Sequence, residues 1–134
     1  MKKRILLIED DELIREMYAS ELAKNDFEVF AFSTGEEGLK VLEQNQFDLI
    51  LLDIMLPGLN GLEILKEIKQ NPLNKNVKVV LMTNLGQETI IKEGFQLGAD
   101  GYLIKAAYNP DQIIQEVRNF IDGKNTSTPD TNPI

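Results

Sequence analysis

Five side chains able to ligate or react stand at the ends of apolar runs in this chain: Glu9, Asp10, Asp53, Thr83 and Lys105. Asp53 closes residues 47–53 (Phe-Asp-Leu-Ile-Leu-Leu-Asp), a run that is otherwise almost wholly apolar. Glu9 and Asp10 follow the run Ile5-Leu-Leu-Ile8, with Asp11 next, while Thr83 ends residues 77–83 and Lys105 ends residues 101–105. Carboxylates brought together repel one another and call for a cation. The chain contains neither His nor Cys, so any ligand set is oxygen-only, which suits Mg²⁺ or Mn²⁺. A divalent cation, an ammonium and a hydroxyl around one carboxylate make a site for phosphoryl transfer. The cation and Lys105 would neutralise the moving group, and Asp53 would accept it.

Each residue also has a plainer reading. Asp53 could simply open the turn through Pro57-Gly58, and the acids after Ile8 could serve the positive end of the first helix. Thr83 could be an ordinary β-former and Lys105 an exposed strand end. Their joint occurrence at four strand ends favours the functional reading.

The elements that must position these groups are legible in the hydrophobic pattern. Short continuous apolar runs read as parallel strands buried on both faces. They alternate with stretches whose apolar residues recur at helical spacing: Leu13 to Leu22, Leu39 and Leu42, Leu62 to Ile68, about 87–97, and Ile113 to Ile121. Ser33-Thr-Gly-Glu36 and Asn109-Pro-Asp-Gln112 read as capping boxes at helix starts, and Gly98 fits the left-handed position after a helix. Five strands alternating with five helices imply a doubly wound α/β sheet with right-handed crossovers. The carboxyl ends of all strands then share one edge, where ligands bind in such sheets.

Composition narrows the function classes. The chain has 134 residues, 43% hydrophobic and 27% charged, with a net charge of −8, which fits one soluble domain and argues against direct nucleic-acid binding. His-based acid–base catalysis, thiol chemistry and the usual zinc sites are excluded. The apolar start breaks off at acids too early for a signal peptide, and no stretch is long enough to span a membrane, so a cytoplasmic protein is expected. Residues 1–122 are read as the domain. Residues 123–134, with almost nothing apolar, are read as a flexible tail or truncated linker.

Order and spacing of several motifs resemble the receiver domain of two-component response regulators over about Lys2 to Ile121. The motifs are Ile8-Glu9-Asp10-Asp11, Leu52-Asp53 through Pro57-Gly58 to Gly61, Leu81-Met-Thr83, Gly98 to Tyr102, and Lys105. The resemblance implies a flavodoxin-like (βα)5 fold of strand order 2-1-3-4-5, with Asp53 as phospho-acceptor. It implies Mg²⁺ held by Asp10, Asp53 and the backbone carbonyl of Met55, Glu9 acting through bound water, Asp11 no ligand, and Lys105 on the phosphoryl group. Thr83 and Tyr102 would be the switch pair, acting on a surface of the fourth helix, fifth strand and fifth helix. The implied phosphodonor is a histidine kinase or histidine phosphotransfer protein, with an unknown downstream effector. Such a domain catalyses only its own phosphorylation and dephosphorylation.

The chain departs from the family pattern in places. Ala106 stands where Pro usually follows the strand-five lysine, so a trans bond is expected. The segment after Lys105 is one residue longer, which leaves the position of Lys105 open. Asn84 replaces a commonly small residue. Met55 and Leu85 flank the expected path of an attacking water without being able to orient it, so slow self-hydrolysis is expected. Ile90 and Ile91 occupy the fourth helix where some of the charges that make the dimer of the winged-helix transcription-factor branch would be expected, so that charge-mediated dimer is not expected. With Phe95 they cannot all face inward, which leaves an apolar partner surface open. The alternative reading is a degenerate receiver that works by protein binding without phosphorylation.

Overall fold

The computed structural model describes residues 2–84 and 88–123. Its strands are β1 (Lys3–Ile8), β2 (Phe27–Phe32), β3 (Leu49–Asp53), β4 (Lys78–Thr83) and β5 (Gly101–Ile104). Its helices are α1 (Glu12–Lys24), α2 (Gly35–Leu42), α3 (Gly61–Gln70), α4 (Glu88–Gln96) and α5 (Pro110–Asp122). The strands pair in parallel in the order β2-β1-β3-β4-β5, which is the expected flavodoxin-like α/β arrangement.

Period-2 alternation divides the core in two. Leu6, Ile8, Ile50, Leu52, Val79, Leu81, Tyr102 and Ile104 join α2, α3 and α4 on one face. Ile5, Leu7, Leu49, Leu51, Val80, Met82 and Leu103 join α1 and α5 on the other. Every residue of β3 is buried, as a central strand covered on both faces requires. Each buried Leu or Ile there contributes roughly 1.5–3 kcal/mol.

The helix starts follow local chemistry, with one correction. Asn109 and Gln112 form the expected capping box of α5, and Asn60 and Glu63 form another on α3. At α2 the cap is Thr34, not Ser33. Thr34 Oγ1 accepts from the Glu37 N–H, and Glu37 Oε1 in turn accepts from the hydroxyls of Thr34 and Ser33. Two adjacent hydroxyls competed for one cap, and the glutamate available to the second is Glu37 rather than Glu36. On α3, Ile64 joins Leu65 and Ile68 as fully buried, while Leu62 is only half-buried. Gly98 has the expected positive φ of 106°. Gln87, read as the first residue of the fourth helix, and all of the expected tail except Gly123 lie outside the described residues.

Candidate functional site

Strand register places the chemistry at one level. Ile8 pairs with Leu52, so Glu9 and Asp53 follow side by side. Asp53 pairs with Met82, and Thr83 pairs with Ile104. β5 ends at Ile104, one residue earlier than its sequence suggested, and Lys105 opens a 3₁₀ turn at residues 105–107. Counting alternate residues, Glu9, Asp53 and Lys105 belong to the α1/α5 side, whereas Thr83 and Tyr102 belong to the α3/α4 side.

The first three meet accordingly. Lys105 Nζ lies 2.7 Å from Glu9 Oε1 and 3.1 Å from Asp53 Oδ2. Glu9 is fully buried and Asp53 is 2% exposed. The extra residue after Lys105 therefore does not displace it, and the described backbone has no cis peptide bond. Burial is the largest effect on Asp53 and, with Glu9 beside it, pushes its pKa up to about 7 although Lys105 pulls the other way. Burial also opposes the charge on Lys105, but Glu9 and Asp53 outweigh it and hold the ammonium above its ordinary pKa. Tyr18, buried in α1, is pushed up to about 12 by burial and then by the charge of Glu9.

Asp10 completes the acidic set. Carboxylate oxygens of Glu9, Asp10 and Asp53 lie within 4.8 Å of one another, with Asp10 exposed between two buried partners. Hard oxygen donors in this number and spacing fit a divalent cation such as Mg²⁺ or Mn²⁺. Asp11 stays out of the set, as expected. It caps α1, its Oδ1 accepting from the Ile14 N–H, while its own N–H donates to Glu9 Oε2. Asp11 thus serves the start of the first helix, as the plainer reading of the acids has it.

The loop after Asp53 is tied back to the site. The Met55 N–H donates to Asp53 Oδ1 at 3.0 Å, which holds the residue-55 backbone beside the carboxylate. Its side chain is 55% exposed. The Gly61 N–H donates to the Ile54 carbonyl at 2.8 Å, and a Cβ at Gly61 would collide with the Asp53 carbonyl and with Ile54. Thr83 is buried, and its hydroxyl donates to the Asn84 carbonyl at 3.0 Å. Leu85 lies outside the described residues. Tyr102 is buried, and its ring meets Phe95 edge-on at 6.1 Å. Ile91 is buried and Ile90 half-buried, leaving Phe95 44% exposed.

One contributor went unread in the sequence. Arg15 Nη1 donates to the carbonyls of Glu9 at 2.9 Å and Asp10 at 3.3 Å, fixing the backbone that presents both acids. Its place one turn into α1, on the side of the preceding loop, was the only signal available.

With the acids and Lys105 gathered at the carboxyl edge, comparison with known proteins becomes informative. The family model for the response regulator receiver domain matches residues 5–118. The chain belongs to this family. It is 29% identical over 128 residues to the transcriptional regulatory protein SrrA of Staphylococcus aureus (strain NCTC 8325 / PS 47), covering 96% of this chain and 52% of that protein. The chain thus spans about half the length of the curated relatives it matches. The CheY-like receiver domain protein of Methanospirillum hungatei JF-1 superposes with a TM-score of 0.84 at 29% identity, covering 92% of this chain and 96% of that one. The Mn²⁺-bound form of response regulator Rcp1 superposes with a TM-score of 0.77 at 31% identity, covering 88% and 93%. This chain is therefore a two-component receiver domain with an acidic cluster of Glu9, Asp10 and Asp53, and one of the proteins it superposes on is described in a Mn²⁺-bound form.

Proposed function

We propose that this receiver domain accepts a phosphoryl group on Asp53 from a histidine kinase or histidine phosphotransfer protein and signals through a changed surface. The observation that carries the reading is the ammonium of Lys105 set between Glu9 and Asp53, with Asp10 completing an oxygen-only ligand set. An Asp53 carboxylate oxygen attacks phosphorus, the bond from phosphorus to the donor nitrogen breaks, and an acyl phosphate forms. Lys105 moves from compensating two carboxylates to compensating the incoming phosphoryl oxygens.

The residues that would hold Mg²⁺ are Asp10, Asp53 and the Met55 carbonyl, with Glu9 acting through water; Mn²⁺ fits the same donors. When bound, the ion supplies neutralisation of phosphoryl charge. The donor would approach over α1, which starts beside Asp10 and exposes Leu13 and Met17 one turn apart, 78% and 44% accessible. Thr83 and Tyr102, on the opposite side of the sheet from Lys105, would relay the change to α4, β5 and α5. The domain would turn over no external substrate and would act in the cytoplasm.

Intact mass after incubation with acetyl phosphate and Mg²⁺ tests the reading. One phosphoryl adduct on wild type and none on Asp53→Asn is the expected outcome. No adduct on either would favour a receiver that works by binding alone.

A further inference from the structure

The three acids of the site are not held alike. Asp53 is met at both carboxylate oxygens, Oδ1 by the Met55 N–H and Oδ2 by Lys105. Glu9 is met at both as well, Oε2 by the Asp11 N–H and Oε1 by Lys105. Asp10 differs. It is exposed, and among the described residues its side chain makes no hydrogen bond or ion pair. Where its carboxylate stands therefore depends on its backbone.

That backbone is held from α1. A guanidinium terminal nitrogen carries two hydrogens. Arg15 Nη1 donates to the Glu9 carbonyl at 2.9 Å and to the Asp10 carbonyl at 3.3 Å, so one nitrogen ties down two successive peptide units. The Arg15 N–H donates to the Asp11 carbonyl at 2.9 Å, and the Glu9 N–H donates to the Phe32 carbonyl of β2 at 3.0 Å. The turn from β1 to α1 is thus suspended between the sheet and one half-buried arginine. Among the described residues Arg15 forms no ion pair. It addresses the carbonyls and leaves the carboxylates to a cation.

An arginine so placed has two opposed effects on a divalent ion. Its charge repels the ion and weakens binding. Its hydrogen bonds fix a ligand for an ion with strict demands on oxygen geometry, and such outer partners of ligating groups are worth about 10–100-fold in affinity. We propose that Arg15 is a positioning residue for the divalent cation, fixing the Asp10 backbone so that its carboxylate meets the ion, and that this outweighs the repulsion of its charge. The proposal rests on the reading of Glu9, Asp10 and Asp53 as a cation site and adds the residue that sets its affinity.

Mn²⁺ binding to the whole chain, read from the electron paramagnetic resonance of the free ion, tests this without phosphorylation. Wild type should bind most tightly. Arg15→Lys, which keeps the charge and a shorter donor, should bind less tightly, and Arg15→Gln roughly tenfold more weakly than wild type. Were charge the only influence, Arg15→Gln would bind more tightly than wild type and Arg15→Lys equally well; either result would overturn the proposal. So would an equal loss in Lys66→Gln, which removes one charge from the exposed surface of α3. The half-saturating Mg²⁺ for labelling by acetyl phosphate should rise in Arg15→Gln by the factor seen with Mn²⁺, with a smaller change in the rate at saturation. A loss confined to the saturated rate would contradict the assignment. Thermal midpoints in EDTA identify a variant that has simply unfolded, in which case Arg15→Lys carries the comparison. A wild-type chain that binds Mn²⁺ yet takes no phosphoryl adduct would defeat the phosphorylation reading, and the order of Mn²⁺ affinities would still decide the role of Arg15. A wild-type chain that binds no Mn²⁺ would overturn that role together with the cation site.

Discussion

Lys105 lies closer to Glu9 than to Asp53, and the pair it forms with Glu9 is the more buried of the two. The ammonium is therefore held by a residue other than the proposed phospho-acceptor. Were Asp53 phosphorylated, Lys105 would keep an anchor on Glu9.

Removing this cation should expose the cost of the site. Lys105→Met leaves Glu9 and Asp53 buried without compensation, a change that typically costs on the order of 3 kcal/mol. Urea unfolding in EDTA should show the loss. Mg²⁺ should restore part of the stability in the variant while leaving its phosphorylation by acetyl phosphate strongly slowed.

The raised pKa of Asp53 gives a pH signature with a definite sign. In the fold Asp53 holds its proton up to about 7, whereas an unfolded carboxyl loses it near 3.8. Between these values the folded state binds more protons, so the contribution of Asp53 to stability falls as pH rises and levels off above about 7. Urea midpoints in EDTA should therefore show Asp53→Asn gaining on wild type from pH 4 to 7. A stability difference independent of pH would refute the shift. In Mg²⁺ the slope should flatten, because a bound cation favours the carboxylate.

Gly61 should tolerate no side chain. A Cβ there meets the Asp53 carbonyl and Ile54, so Gly61→Ala must move the segment that carries Asp53. A destabilisation of roughly 1–3 kcal/mol is expected, together with slower phosphorylation that extra Mg²⁺ does not rescue. Normal kinetics in a folded variant would show that the segment adapts.

The phosphorylated state should be long-lived. Met55 follows Asp53 by two residues with an exposed apolar side chain, which cannot orient a water for attack. Phosphate release in Mg²⁺ buffer should be slow, and Met55→Asn should shorten the lifetime severalfold. A wild-type half-life of seconds would contradict this.

How much of this was legible in the sequence depends on the distance over which each feature is decided. The five strands and the groups at their ends were readable because apolar runs and their terminal polar residues are local signals. That Glu9, Asp53 and Lys105 share one side of the sheet, with Thr83 on the other, follows from strand parity once register is known. The anchoring of Lys105 on Glu9 was not readable, because it depends on how the β5–α5 turn absorbs its extra residue. The α2 cap moved from Ser33 to Thr34 because neighbouring hydroxyls carry the same signal.

The central claim is that Asp53 carries the phosphoryl group. Borohydride reduces an acyl phosphate on aspartate to homoserine, so treatment after acetyl phosphate and Mg²⁺, followed by peptide sequencing in the mass spectrometer, locates the modified residue directly. Homoserine at position 53 and at no other acid is the predicted result. An unreduced Asp53, or homoserine at Asp10 or Asp11 instead, would contradict the account.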